Sequence, residues 1–254
     1  MTGVPPTPVP APHGPWAAIS TPPVGKWAFW RFNWIAHHKV IRSIERARRH
    51  AHGELLDVGC GDMRAEHWFR GHVARYWGVD LTESRFLIGR RPAAFARAEQ
   101  LPFRPGSFDT VLGMSMLTYL PEPIRMIEEA HRVMRPGGTL ILEFTQVAAL
   151  HDEPHDYFRF TRYGATYLLD RAGFEVIELI PIGGLWTSVG MSIIASINRA
   201  NRGPIRVLTE LPSRFLYVVV QLGCELMERL FSNPRESVSH LAVARRRETG
   251  TAAR

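Results

Sequence analysis

The chain has 254 residues, 45% hydrophobic and 22% charged; that supports one full-sized core and excludes a fibre or a disordered polymer. Its formal charge of +7 would suit nucleic acid, anionic lipid or an acidic substrate. However, the basic residues are scattered, with local groups only at Arg46–Arg49 and Arg245–Arg247, and neither group alternates with aromatics as a nucleic-acid stripe does. The two cysteines, Cys60 and Cys224, lie too far apart for a disulfide framework or a zinc spacing and fit a reducing cytoplasm.

Residues 1–25 are rich in proline and small side chains, so they are expected to form a disordered leader. They lack the basic start and continuous apolar run of a signal peptide. Residues 26–52 carry aromatic and aliphatic positions at helical spacing and read as one or two helices. A domain is expected over 53–246. Its first strand is the apolar run Glu54–Val58, bounded by Gly53 and Gly59. Ala74–Asp80 reads as a strand, Ser84–Arg91 as a helix, Ala94–Ala98 as a short strand and Phe108–Met114 as another. A helix over Pro123–Met134, the Pro136-Gly137-Gly138 turn and a strand over Thr139–Thr145 follow. Tyr163–Ala172 reads as a helix closed by Gly173, and Phe174–Ile180 as a strand. Two apolar segments, Leu185–Ile197 and Phe215–Phe231, then interrupt the rhythm. Ser239–Arg245 reads as a last strand pairing with Phe174–Ile180, and 247–254 as a flexible tail. The alternation implies an α/β fold: a Rossmann-like, seven-stranded, mostly parallel sheet with the last strand antiparallel, helices on both faces and a helical insertion over 185–231.

The strongest chemical signal is Leu55-Leu56-Asp57-Val58-Gly59-Cys60-Gly61-Asp62. A strand entering a Gly-x-Gly turn lets backbone approach a ligand closely. A second strand ends in an acid, Tyr76-Trp77-Gly78-Val79-Asp80, where a carboxylate accepts hydrogen bonds from both ribose hydroxyls. Arg64 stands where a dinucleotide fingerprint needs its third glycine, which argues against NAD or FAD. S-adenosylmethionine (SAM) has ribose and adenine but no phosphate.

These residues resemble the first two motifs of the class I SAM-dependent methyltransferases, most closely the type 11 group. Arg97–Phe103 with Ser107–Val111, and Glu128–Gly138, resemble two further motifs of that family, so the likeness runs from about Gly53 to Ile180. It implies SAM as cofactor. Gly59, Cys60 and Gly61 would lie against its methionine part, and Asp57 would orient that turn or reach the amino group through water. Asp80 would hold the ribose, with Leu81 near the adenine. Ala98, Glu99 and Gln100 would line the adenine edge, and Met114 and Ser115 would border the sulfonium. Arg97 departs from the acid that many relatives carry there.

A polar stretch, His151-Asp152-Glu153-Pro154-His155-Asp156-Tyr157-Phe158-Arg159-Phe160-Thr161, follows the fifth strand, at the edge where ligands sit in open α/β sheets. Three readings compete. Asp156, Arg159 and Thr161 tie down the loop and cap the next helix. Alternatively His151 or His155, with Asp156, takes a proton from a substrate hydroxyl. In the third, the His and Asp residues hold a divalent metal. No metal is expected at the site. Gly113-Met114-Ser115-Met116 is not the polar tetrad with which many relatives methylate base amines, so nucleic acid is not expected as a partner. Leu179–Asn198, uncharged but broken by Pro181, Gly183-Gly184 and Gly190, reads as a strand, turn and helix rather than a membrane span. The 185–231 insertion is either a helical pair packed on the domain or a lid or interfacial patch touching membrane lipid. The reading is a cytoplasmic methyltransferase, with peripheral membrane contact through 185–231, acting on a small-molecule or lipid-like acceptor at oxygen. Its rivals are a catalytically silent SAM-binding regulator and an RNA methyltransferase.

Overall fold

The computed structural model describes residues 31, 34–84, 87, 92–201, 206–233 and 235–248. The expected leader, most of the expected helix over Ser84–Arg91 and the end of the expected tail lie outside them. The described chain begins with α1 (Trp34–Ala47) and a 3-10 turn at Arg48–His50, then runs through β1 (Glu54–Val58), the short α2 (Glu66–Phe69), β2 (Arg75–Asp80), β3 (Ala94–Phe95) and β4 (Phe108–Gly113). A 3-10 turn at Leu117–Tyr119 precedes α3 (Pro123–Val133) and β5 (Met134–Thr145). The rest is α4 (Arg162–Arg171), β6 (Phe174–Ile182), α5 (Leu185–Ala200), α6 (Arg206–Leu230) and β7 (Ser239–Arg246).

The seven strands form one sheet in the order β3-β2-β1-β4-β5-β7-β6. β1 to β5 pair in parallel. β7 runs antiparallel between β5 and β6, so it pairs with the strand the sequence picked out and with β5 as well. The sheet is buried on both faces because neighbouring strand residues alternate sides. Leu56, Val111, Leu140, Leu142, Ala242 and Ala244 enter one core, against Met126, Ile127, Ala130 and Val133 of α3. Leu55, Leu112, Ile141, Leu241 and Val243 enter the other, against Ile44 and Ala47 of α1. Each fully buried Leu, Ile or Val contributes roughly 1.5–3 kcal/mol, which is why these short apolar runs settle as central strands.

Three strand boundaries differ from expectation by more than one residue, and α6 starts at Arg206 rather than at Phe215. β3 is two residues long rather than Ala94–Ala98, because Ala98 and Glu99 enter a turn. β5 begins at Met134, ahead of the Pro-Gly-Gly turn, because Met134 already pairs with Phe108. β6 continues to Ile182, since Pro181 and Ile182 still pair with β7. Arg247, beyond β7, donates its amide to Gly173 O at 3.0 Å.

Candidate active site

The turn after β1 is built by backbone. The amides of Gly59 and Cys60 both donate to Val79 O, at 2.8 and 3.2 Å, which folds the end of β1 onto β2. Gly59 and Gly61 have φ of +76° and +53°, a left-handed conformation that disfavours side chains. A Cβ on Gly59 would lie 2.1 Å from Met116 Sδ, so the turn also meets the segment after β4 closely. Asp80, buried at the end of β2, accepts Gly61 N–H on Oδ2 at 2.6 Å and Leu81 N–H on Oδ1 at 2.7 Å. Its carboxylate therefore braces both the turn and its own strand end. Asp57 is buried and accepts Tyr76 O–H at 2.5 Å. Burial, helped by the nearby Asp80 and opposed by the Tyr76 hydrogen bond, raises its pKa to about 7. Cys60 is buried, and desolvation with Asp57 and Asp80 raises its thiol above the usual range, so it stays protonated. Asp62 binds Arg64 Nε through both oxygens, at 2.7 and 2.9 Å.

The segment beside Asp80 is anchored from α3. Ala96 N–H donates to Asp80 O at 3.0 Å, and Gln100 N–H to Arg97 O at 3.1 Å, so Arg97–Gln100 turns next to the acid. Arg97 Nη2 reaches Glu99 Oε1 at 3.4 Å. Glu129 accepts Leu101 N–H at 2.7 Å, while Arg132 donates to Leu101 O, Phe103 O and Glu129. The charged residues of α3 thus hold the predicted adenine-side segment in place.

At the end of β4, Ser115 has φ of +55°. Its hydroxyl donates to Glu143 Oε2 at 2.5 Å, and the Ser239 hydroxyl also bonds this carboxylate. Glu143 is buried in β5, and desolvation raises its pKa. The sequence reading missed it. The signal was a lone acid inside the apolar run Leu140–Phe144; a buried carboxyl must have hydrogen-bond partners.

The polar loop folds back over the turn after β4. The amides of Tyr157 and Phe158 donate to Thr118 O, at 2.9 and 3.3 Å, and Thr118 Oγ1 is buried without a partner. Asp156 receives Arg159 through Nη1 and Nη2, at 2.5 and 2.7 Å, and His151 N–H at 3.0 Å. The Arg159 hydrogen bonds hold its pKa near 2, so Asp156 is an ionised clamp already engaged. Thr161 caps α4 by accepting Gly164 N–H at 3.1 Å. His151 Nδ1 lies 2.8 Å from Ala149 O. A carbonyl only accepts, so Nδ1 carries the proton and Nε2 accepts from the Tyr119 hydroxyl, 2.8 Å away. Tyr119 is a second residue the sequence reading missed, because nothing along the chain marks that its turn meets a loop some thirty residues later. His155 instead faces the Tyr157 hydroxyl at 3.2 Å. Among the described residues, no group of three or more His, Cys, Asp or Glu is arranged to hold a metal ion.

Residues 56–142 match a family described as "Methyltransferase domain". The ubiquinone biosynthesis O-methyltransferase of Pseudomonas aeruginosa (strain UCBPP-PA14) is 29% identical over 152 residues, covering 55% of this chain and 58% of that protein. The chain thus matches a little over half the length of such curated relatives. Among solved structures, the [4+2]-cyclase SpnF superposes with a TM-score of 0.56 at 19% identity, covering 82% of this chain and 81% of that one. A methyltransferase-like protein from Bacillus halodurans gives 0.53 at 19% identity, covering 82% and 99%. At that identity the structural likeness speaks for the fold alone.

Proposed function

The core of this chain belongs to the class I SAM-dependent methyltransferases of the type 11 group, and from that premise we propose that the protein methylates a small-molecule or lipid-like acceptor at oxygen. SAM is the cofactor of that family. The observation that carries the reading is the Gly59–Gly61 turn with Asp80 at its base. The turn presents backbone rather than side chains, as a closely held ligand requires. Arg64, the nearest cation in sequence, is already bound to Asp62, so the turn suits an uncharged ribose edge better than a pyrophosphate. Gly59, Cys60 and Gly61 would hold the methionine part. Asp80 would accept the ribose hydroxyls, with Leu81 and Ala98–Gln100 beside the adenine and Met114 and Ser115 beside the reacting methyl.

When bound, SAM supplies an electrophilic methyl group on a sulfonium leaving group. What remains for the chain is to orient the acceptor, exclude water and receive a proton. The Tyr119–His151 pair suits the last task. As an acceptor hydroxyl gives its proton to the Tyr119 oxygen, the Tyr119 proton passes to His151 Nε2, and the imidazolium then releases it to solvent. Asp156, with Arg159, positions His151 through its amide. The O-methyltransferase name of the curated relatives supports oxygen as the acceptor atom. Peripheral contact of the 185–231 insertion with membrane lipid would bring a lipid-like acceptor to this site.

Calorimetric titration of SAM tests the cofactor site. Asp80→Asn keeps one acceptor oxygen but loses the charge that a ribose would use, so SAM affinity should fall about tenfold to a hundredfold, the worth of a charge-assisted hydrogen bond. Equal affinity in wild type and variant would remove Asp80 from the site.

A further inference from the structure

We propose that the outward face of α6 docks the protein on a lipid surface, so that the site edge of the sheet faces the bilayer. The hairpin of α5 and α6 is rooted at that edge. β6 ends at Ile182 and β7 starts at Ser239, and these two residues pair. Val238 O accepts the amides of Gln146 and Val147, at 2.9 Å each, so the second root touches the chain leading into His151.

One face of α6 belongs to the protein. Tyr217, Gln221, Cys224 and Glu225 are buried. Gln221 joins Ile35 N and Arg31 O at 2.9 Å each, Glu225 meets Lys39 Nζ at 2.7 Å, and Glu228 accepts Thr187 N–H at 2.9 Å. Among the described residues the opposite face has no partner. Leu211, Phe215, Val219, Leu222, Leu226 and Leu230 are 48–79% exposed, and their spacing of three and four residues draws one stripe about 28 Å long. Leu216 and Phe231, 42% and 61% exposed, widen it. The patch is on the order of 800 Å², above the roughly 300–600 Å² that a monomer usually leaves bare.

Its width selects the occupant. A helix–helix seam is narrow, and charged residues flank it to fix register. Here every exposed position from Phe215 to Leu226, namely Phe215, Leu216, Val219, Leu222, Gly223 and Leu226, is uncharged. A lipid surface needs no register. Charge returns only at the rim, where four arginines, Arg199, Arg214, Arg229 and Arg235, and one acid, Glu236, are exposed. Arg214 and Arg229 also touch Glu210 and Glu225, but the chain's excess of +7 leaves the protein attracted to anionic headgroups. No described helix is long and apolar enough to cross a membrane, so this face lies on the bilayer.

The delivery of a membrane-borne acceptor rests on the proposed methyl transfer; the docking itself does not. The test is flotation of the full chain with vesicles of phosphatidylcholine alone and of phosphatidylcholine mixed with phosphatidylglycerol. Wild type should float, more strongly with the anionic lipid, and Leu222→Glu/Leu226→Glu should float about tenfold less or weaker. Both side chains are exposed, so the variant should keep the wild-type melting temperature and SAM affinity. Loss of SAM binding by wild type with retained flotation would sink the methyltransferase reading and spare the docking. Absence of wild-type flotation on either vesicle would overturn the docking. So would light scattering that shows a dimer which the double substitution splits, since the face would then belong to a second copy.

Discussion

At the residue scale, the carboxylates at this site divide by environment. Asp156 is stabilised as an anion by Arg159, whereas Asp57 is buried and accepts the Tyr76 hydroxyl. Burial raises Asp57 from 3.8 to about 7. Below pH 4 the carboxyl is protonated in folded and unfolded chains alike, and its burial costs little. As pH rises from about 4 to 7 the unfolded chain ionises while the folded one does not, so wild type loses stability through that window and levels off above it. Asp57→Asn, which cannot ionise, escapes that loss. The gap in stability between variant and wild type should therefore open between pH 4 and 7 and reach on the order of 4 kcal/mol at pH 8. Parallel thermal-melt profiles across that range would show that Asp57 is ionised in the folded state. Glu143 shows the limit of sequence reading at this scale. An acid inside an apolar run announces that partners exist, but only the fold reveals that they are Ser115 and Ser239. The pairing of Tyr119 with His151 was equally invisible, because both residue types are common in exposed turns.

At the scale of elements, the strands were legible because a two-sided sheet demands short apolar runs between glycines and polar turns, and β1, β4 and β7 are such runs. The charged side of α3 was legible only as a family likeness. Its physical role appears when Arg132 bonds two carbonyls of the Leu101–Phe103 segment and Glu129 takes its amide. Arg132→Ala should therefore leave α3 in place, since Met126, Ile127, Ala130 and Val133 still fill the core, but free the segment beside Asp80. SAM affinity should drop about tenfold, the worth of lost hydrogen bonds to a charged group, with amide exchange accelerated at residues 98–103. Unchanged exchange there would mean that the turn holds itself. The insertion was legible as two apolar helices, but not the side each would bury. That depends on α1, whose Ile35 and Lys39 claim one face of α6.

At the scale of the whole molecule, the last strand is internal to the sheet. β7 pairs with β5 from Thr139 to Thr145 and with β6 from Phe174 to Ile182, and Leu241, Ala242, Val243 and Ala244 are fully buried. A chain ending at Val238 would leave two strand edges unpaired and open both cores. Each buried Leu or Val is worth roughly 1.5–3 kcal/mol, against a typical total stability of about 5–15 kcal/mol, and the lost ladder hydrogen bonds add to that. Such a truncation should abolish the cooperative thermal transition, while one ending at Glu248 should melt like the full chain. The consequence reaches the site, because Ser239 helps hold Glu143 and Glu143 holds Ser115 in its left-handed conformation. The β4 end of the candidate site is therefore completed only when the last strand docks. A cooperative melt in the Val238 truncation would show that β1 to β6 close without it, and SAM binding by that fragment would separate the site from the strand that completes the sheet.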